Sequence, residues 1–446
     1  MIKSGLAVLA AALGAGKVTA RALTDEALEA ATQGEGPTAY MHLHADRARA
    51  EASAIDSVRQ AGREARPWAG IPISIKDLFD EEGLVTTAGS KALAGSAPAD
   101  ADAPIVARLR RAGFVILGRC VMTEFAYSGV GLNPHYGTPA SPWDRETGRI
   151  PGGSSSGGAV SVADGMAAAT IGTDTGGSCR IPAAFCGITG FKPTIDRVPR
   201  DGCTPLSFSL DSIGPLANSV DCCAILDDVM AGGTGRRAAA LPVRGMRLAV
   251  LTNFVLEDMD QTVADAYAAA LETLSEAGAH LEEITLDAID DLPALGAAGG
   301  FAAADSYAWH RRLIETKRDA YDPRVIGRIE RGAAISAADY IDLMEARVAM
   351  QRRTDRETAG FDAVLMPTVP IVPPALSELD QDDDYTRINL LCLRNPSVGN
   401  FLNRPNISLP CHAEGDAPVG LTLMGHRGRD RALFDIAAGV EGVLRS

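Results

Sequence analysis

Residues 71–77 read Ile71-Pro72-Ile73-Ser74-Ile75-Lys76-Asp77, the alternation of a strand, with Ile71, Ile73 and Ile75 on one face and Ser74 and Lys76 on the other. A helix expected over 103–112 precedes a second strand at 114–117, ended by Gly118, and strand–helix–strand is the order of a parallel sheet. The rhythm resumes after the break Ala231-Gly232-Gly233-Thr234-Gly235, which reads as a surface linker. Beyond it we expect a strand over 246–251, a helix over 261–277 and a strand over 280–284. Residues 301–358 read as almost wholly helical, and 361–367 return to the sheet. Upstream, residues 24–60 read as a pair of helices interrupted at Gly34-Glu35-Gly36-Pro37. The fold class that follows is α/β.

Composition narrows the function. The 446 residues, 46% of them apolar, suit an ordered globular protein of one large α/β domain or two modest ones. A net charge of −15 disfavours a nucleic-acid partner, which requires a basic stripe to neutralise phosphates. No apolar run approaches the roughly 18 residues of a membrane span, so no membrane partner is expected. Eight cysteines without a CxxC pair resemble neither a disulfide framework nor a zinc site, and fit a reduced cytoplasm. Lys3 and the run Leu6 to Leu13 have the outline of a short secretory signal. The run continues, however, into an alanine-rich helical pattern through Ala30 with no clean cleavage site, and is read as helix.

Glycine and serine crowd residues 133–177, and two segments stand out: Gly152-Gly153-Ser154-Ser155-Ser156-Gly157-Gly158 and Gly172-Thr173-Asp174-Thr175-Gly176-Gly177-Ser178. Glycine runs let backbone amides turn toward an anion, and a serine ending such a run has those amides beside its hydroxyl. A flexible linker would not be flanked by the apolar stretches Ala159 to Ala169 and Ile181 to Phe185. The hydroxyl needs a proton acceptor, and Lys76, among apolar neighbours that favour its neutral form, is the best candidate. From the segment alone an ordinary strand-end lysine paired with Asp77 is the favoured reading, and the pattern by itself does not settle the matter. Gly153-Ser154-Ser155-Ser156-Gly157 also satisfies G-x-S-x-G, which would make Ser155 the nucleophile with His280, His310, His412 or His426 as base. That reading requires a strand before the elbow, where Arg145 to Pro151 is polar and ends in proline. His135, Tyr136 and Asp174 lack a second histidine at ligand spacing, so His135 and Tyr136 are read as loop residues lining a pocket. Asp174 is expected to steady the glycine loop through backbone hydrogen bonds.

Together these elements resemble the amidase signature family. The resemblance is strongest over 70–220, where it includes Arg180, Pro182, Gly187-Ile188-Thr189-Gly190-Phe191-Lys192-Pro193-Thr194 and Ser212-Ile213-Gly214-Pro215-Leu216-Ala217. It reaches more weakly to Pro367-Thr368 and Pro418-Val419-Gly420-Leu421. It implies a mixed central sheet between layers of helices and a single domain over 1–446, with a signature core at 70–220, a surface linker at 231–245 and a second half, 246–446, completing sheet and pocket. It implies Lys76 as base, Ser154 as bridging serine after a cis peptide at Gly153, and Ser178 as nucleophile, 24 positions after Ser154. Backbone amides of Thr175, Gly176, Gly177 and Ser178 would form the oxyanion hole. Met122, Tyr127, Ser128 and Gly129 would contact substrate, with further contributions from 132–136 and 304–343. Asn403 departs from the glycine usual in that region, which leaves the pocket there open. The expected reaction is hydrolysis of a small-molecule carboxylic amide through an acyl-enzyme, with no cofactor and no metal, and a homodimer is compatible with it. The A subunit of a tRNA-dependent amidotransferase, which works with a partner protein, is also similar and remains an alternative.

Overall fold

The computed structural model describes residues 1–63 and 65–445. Among these, eleven strands form one mixed sheet: β1 (Tyr40–Leu43), β2 (Pro72–Lys76), β3 (Val115–Cys120), β4 (Ala169–Asp174), β5 (Thr189–Lys192), β6 (Ser212–Ala217), β7 (Arg247–Leu251), β8 (His280–Ile284), β9 (Ala363–Pro367), β10 (Asn406–Pro410) and β11 (Gly420–Met424). Their spatial order is β1-β3-β2-β4-β6-β5-β10-β11-β9-β7-β8. β2 runs parallel to β3 and β4, and β7 runs parallel to β8 and β9. The middle is antiparallel, with β10 between β5 and β11. Strands from both sides of the 231–245 segment therefore share one hydrogen-bonded ladder.

The alternation read in 71–77 orients the sheet. Ile71, Ile73 and Ile75 are fully buried in the large core with Leu6, Leu9, Leu13, Ile225 and Leu226. Each such side chain contributes about 1.5–3 kcal/mol by leaving water. The opposite face of this region packs Cys120 and Leu216 against Ala159, Val160 and Val162 of the helix Ser156–Ala163. Ser74 points to that side, its hydroxyl 3.0 Å from Ser161 Oγ. The apolar run near the amino end forms the helix Leu6–Gly14, with Leu6, Leu9 and Leu13 in the core.

Two expectations require correction. The strand expected to end at Gly118 continues to Cys120, because β1 pairs alongside it with Leu43 opposite Gly118. A Cβ on Gly118 would lie 2.1 Å from His42 O, so glycine here admits a neighbouring strand rather than ending its own. The pair of helices expected over 24–60 also conceals β1. Helices Ala20–Ala30 and Ala45–Gln60 flank the short turn Gly36–Ala39 and this four-residue strand, which is too short for alternation to be seen. The helical stretch over 301–358 is divided into Gly300–Lys317, Pro323–Glu330 and Ala337–Glu357, with Asp322 and Ser336 capping the second and third.

Candidate active site

Lys76 ends β2. The parallel register with β4, which sets Ser74 against Thr170 and Ile75 against Ile171, carries its side chain to Thr173. Lys76 Nζ donates to Ser154 Oγ at 2.7 Å and to Thr173 Oγ1 at 2.9 Å. Asp77 is not its partner: that carboxylate accepts from Thr87 Oγ1 and from the Gly89 N–H, and lies 3.5 Å from Arg119. Among the described residues Lys76 forms no ion pair. With 1% of its surface exposed, burial disfavours the ammonium and brings its pKa down to about 8, against the pull of Cys179, Cys203, Asp211 and Asp174. A buried lysine held only by hydroxyls is poised to exchange a proton.

Ser154 follows a cis peptide bond from Gly153. Its segment is pinned by the Gly153 N–H to Gly129 O at 2.8 Å and by the Thr123 N–H to Ser154 O at 3.2 Å. The glycines that follow serve packing: a Cβ on Gly157 would lie 2.2 Å from Ala39 O, and one on Gly158 would lie 2.8 Å from Thr170 Oγ1. They let the helix Ser156–Ala163 settle on the strands so that Ser154 meets Lys76. Ser155, the nucleophile of the G-x-S-x-G reading, is buried with its hydroxyl lacking a hydrogen-bond partner. Among the described residues no strand leads directly into it, and the side chains of His310, His412 and His426 bond to Tyr321, Val419 and Phe361 instead. That reading is set aside.

Ser178 stands at the end of the loop after β4 and is 2% exposed. Among the described residues no hydrogen bond joins its hydroxyl to Ser154; the Ser155 N–H donates to Ser178 O at 3.3 Å. Asp174 organises the loop. Its carboxylate accepts from the Gly177 N–H at 2.8 Å and the Cys179 N–H at 3.1 Å, from Arg180 through Nε at 3.0 Å and Nη2 at 2.9 Å, and from Asn400 Nδ2 at 2.8 Å. Burial alone would raise its pKa, but the Arg180 charge and these hydrogen bonds hold it well below the usual carboxylate range. One expectation changes as a result: the Gly177 amide is committed to Asp174. The N–H groups of Thr175, Gly176 and Ser178 have no acceptor among the described residues.

Ser178, Thr175 and Gly176 line a cavity of about 230 Å³. Its other walls are mainly apolar, with Leu206, Leu210, Leu295, Phe301, Leu343 and Phe401 prominent, and no charged side chain lines it. Of the four residues expected to contact substrate, Tyr127 and Ser128 line it. Met122 and Gly129 do not: Met122 is fully buried in the core, and the Gly129 N–H is bonded to Asn389 Oδ1 at 2.8 Å. Residues 132–136 are also displaced from it, since His135 Nε2 lies 2.9 Å from Glu124 Oε1 and Asn133 Nδ2 binds the carbonyls of Gly89 and Met122. Much of the wall comes instead from 292–302 and from the helix Asp382–Phe401. Asn403 takes a left-handed backbone conformation, φ 52°, and accepts from the Ile195 N–H at 2.8 Å, away from the cavity. Among the described residues no cluster of His, Cys, Asp and Glu is suited to a metal ion.

The fold has counterparts of known structure. The crystal structure of an amidase matches with a TM-score of 0.89 at 31% identity, covering 98% of this chain and 99% of that one. Such likeness defines the class, an amide hydrolase. The family model described as Amidase matches residues 22–434, and the chain belongs to that family, the amidase signature enzymes. Two relatives show its breadth. A 2-amino-5-chloromuconic acid deaminase of Comamonas testosteroni is 34% identical over 413 residues, covering 91% of this chain and 88% of that protein. The A subunit of the glutamyl-tRNA(Gln) amidotransferase of Chloroflexus aurantiacus is 35% identical over 452 residues, covering 93% and 91%.

Proposed function

We propose that the protein is a free-standing amidase that cleaves the C–N bond of carboxylic amides with apolar acyl groups, using Ser178 as nucleophile, Ser154 as relay and Lys76 as base. The observation that carries this reading is the contact of buried Lys76 with Ser154 Oγ at 2.7 Å, with no carboxylate in ion-pair contact with the lysine among the described residues. Neutral Lys76 accepts a proton from Ser154 as Ser154 takes one from Ser178, and Ser178 Oγ bonds to the amide carbon. Hydrogen bonds between catalytic groups are often open before substrate binds, so the Ser154–Ser178 link is expected to close in the bound complex. The N–H groups of Thr175, Gly176 and Ser178 receive the oxyanion, and loss of a single such donor typically costs about 3 kcal/mol of barrier. The proton returns through Ser154 to the departing nitrogen, and water then cleaves the ester to free the carboxylate.

The apolar, uncharged lining of the Ser178 cavity favours this over a glutamine-using amidotransferase component, since free glutamine brings two charges that would find no counter-charge there. Eight cysteines, all unpaired, suit a reducing compartment such as the cytoplasm. The test is covalent. A fluorophosphonate should label Ser178, found by mass spectrometry of the modified peptide. Ser178→Ala should lose both label and hydrolysis, whereas Ser155→Ala should keep the label. A label on Ser155 would overturn the assignment.

A further inference from the structure

A second cavity, of about 550 Å³, lies against the same machinery. Its walls come largely from 196–211, with Thr173, Ile213 and Trp309. A hydrogen bond links the walls of the two cavities: Thr175, which lines the smaller, donates through Oγ1 to Asp211, which lines the larger. Asp211 is fixed in turn by the N–H groups of Leu206 at 2.9 Å and Ser207 at 3.0 Å.

Thr173 sets the larger cavity on the proton-transfer side, because its Oγ1 accepts from the same Lys76 Nζ that reaches Ser154. In amide cleavage the Ser178 Oγ–carbon bond forms, the carbon–nitrogen bond breaks, and the proton that left Ser178 ends on the nitrogen. That nitrogen must therefore face Ser154 and Lys76. With the acyl group in the smaller cavity, a substituent on the nitrogen is directed past Thr173 into the larger one. We infer that the larger cavity is the amine-side subsite and that the substrates are N-substituted amides with a bulky apolar or aromatic amine portion. This rests on the Ser178 amidase reading.

The chemistry of the walls agrees. Val198, Pro199, Pro205, Phe208 and Trp309 present apolar surface beside the carboxyl groups of Asp196, Asp201 and Asp211, and Phe208 is 55% exposed, so that much of its ring is open to contact. Arg200 does not offer a free charge: it donates to the carbonyls of Phe208 at 2.8 Å and Asp211 at 3.3 Å and to Asp196 at 3.0 Å, bracing the loop. Ammonia, at about the 30 Å³ of a water molecule, would leave almost all of this space unused.

Hexanamide and N-benzylhexanamide make the test, since they form the same hexanoyl-enzyme and benzylamine is intrinsically no better a leaving group than ammonia. Two readouts are taken: kcat/KM, and the amide concentration that halves the rate of fluorophosphonate labelling of Ser178. The benzyl amide should be favoured by about tenfold in both, the effect of burying part of a phenyl ring. Phe208→Ala should lower that preference about fivefold. A purely structural effect of the substitution would slow both substrates and leave their ratio alone. A wild-type ratio of one or less, a ratio unchanged in Phe208→Ala, or failure of either amide to be cleaved or to slow labelling would overturn the inference. If Ser178 is labelled in those cases, the amidase reading stands without it; if Ser178 is never labelled, the amidase reading itself fails.

Discussion

In the proposed relay Lys76 can act as base only when neutral, and burial has already moved its pKa from the usual lysine range to about 8. The sign follows directly. Below that pKa the ammonium predominates and cannot take the Ser154 proton; above it the free amine predominates. We therefore expect kcat/KM to rise between about pH 7 and pH 9, later than for an ordinary histidine base titrating near about 6.5. Lys76→Ala should remove this limb and cost about three orders of magnitude or more in rate. Lys76→Arg should not restore it, because a guanidinium stays protonated. Each histidine-to-alanine variant should keep the limb, and a single histidine variant that flattened the profile would refute the Ser-Ser-Lys relay. At this scale the sequence was informative: alternation in 71–77 put Ser74 and Lys76 on one face, where the structure has them meeting Ser161 and Ser154. Thr173, the second partner of Lys76, passed unread; it lies one residue beyond Gly172, the position that continuing the parallel register of β2 and β4 sets opposite Lys76.

Between β4 and the helix Arg180–Phe185, the glycine loop is held by charge. Arg180 is wholly buried, and its guanidinium satisfies Asp174, the Pro396 carbonyl at 3.0 Å and Asn400 Oδ1 at 2.6 Å. Removing one member of such a group leaves a buried charge uncompensated, which typically costs about 3–5 kcal/mol. Arg180→Met should therefore lower the unfolding free energy from urea titration by that amount, moving the midpoint down with the slope m unchanged, and the residual folded protein should label slowly at Ser178. An unfolding free energy within about 1 kcal/mol of wild type would show that the clamp is dispensable. The role of Asp174 was legible because a carboxylate three residues before a glycine amide is a local relation. The Arg180 and Asn400 ends were not, being set by folding contacts as distant as Asp174 to Asn400. The cavity failed to be read for the same reason. Tyr127 and Ser128 were recognised through their resemblance, while Leu295, Phe301 and Phe401 are ordinary apolar residues whose convergence depends on how three separate helical segments pack.

The sheet does not divide where the chain does. β10, from residues 406–410, pairs with β5, from residues 189–192, so the second half of the sequence completes the ladder begun by the first. The 231–245 segment nonetheless runs outside regular structure, with several residues exposed and a tie from Trp68 Nε1 to Thr234 O at 2.9 Å. Proteolysis should therefore cut there first, and the nicked halves should stay associated and active under native gel filtration. A fragment ending at residue 245 should fail to give a cooperative melting transition, because the edge of β5 and the core beneath it would face water. Separation of the halves after a single cut would contradict this. The α/β rhythm on each side of the segment was apparent from its helix and strand periods. The joining strands β5, β6, β10 and β11 were not, being short and buried on both faces and so lacking alternation.

The bond from Asn400 to Asp174 also bears on timing. A ribosome delivers Lys76, Ser154 and Ser178 long before residue 400 emerges, yet the loop that presents Ser178 is fastened by that late-arriving amide. The nascent chain thus carries all three proposed reactive groups through the synthesis from residue 178 to residue 400 without the fastening that aligns them, and hydrolytic competence should appear only once Asn400 has joined the fold. On the proposed relay, the chemistry is in effect locked until the helix Asp382–Phe401 has been made and docked.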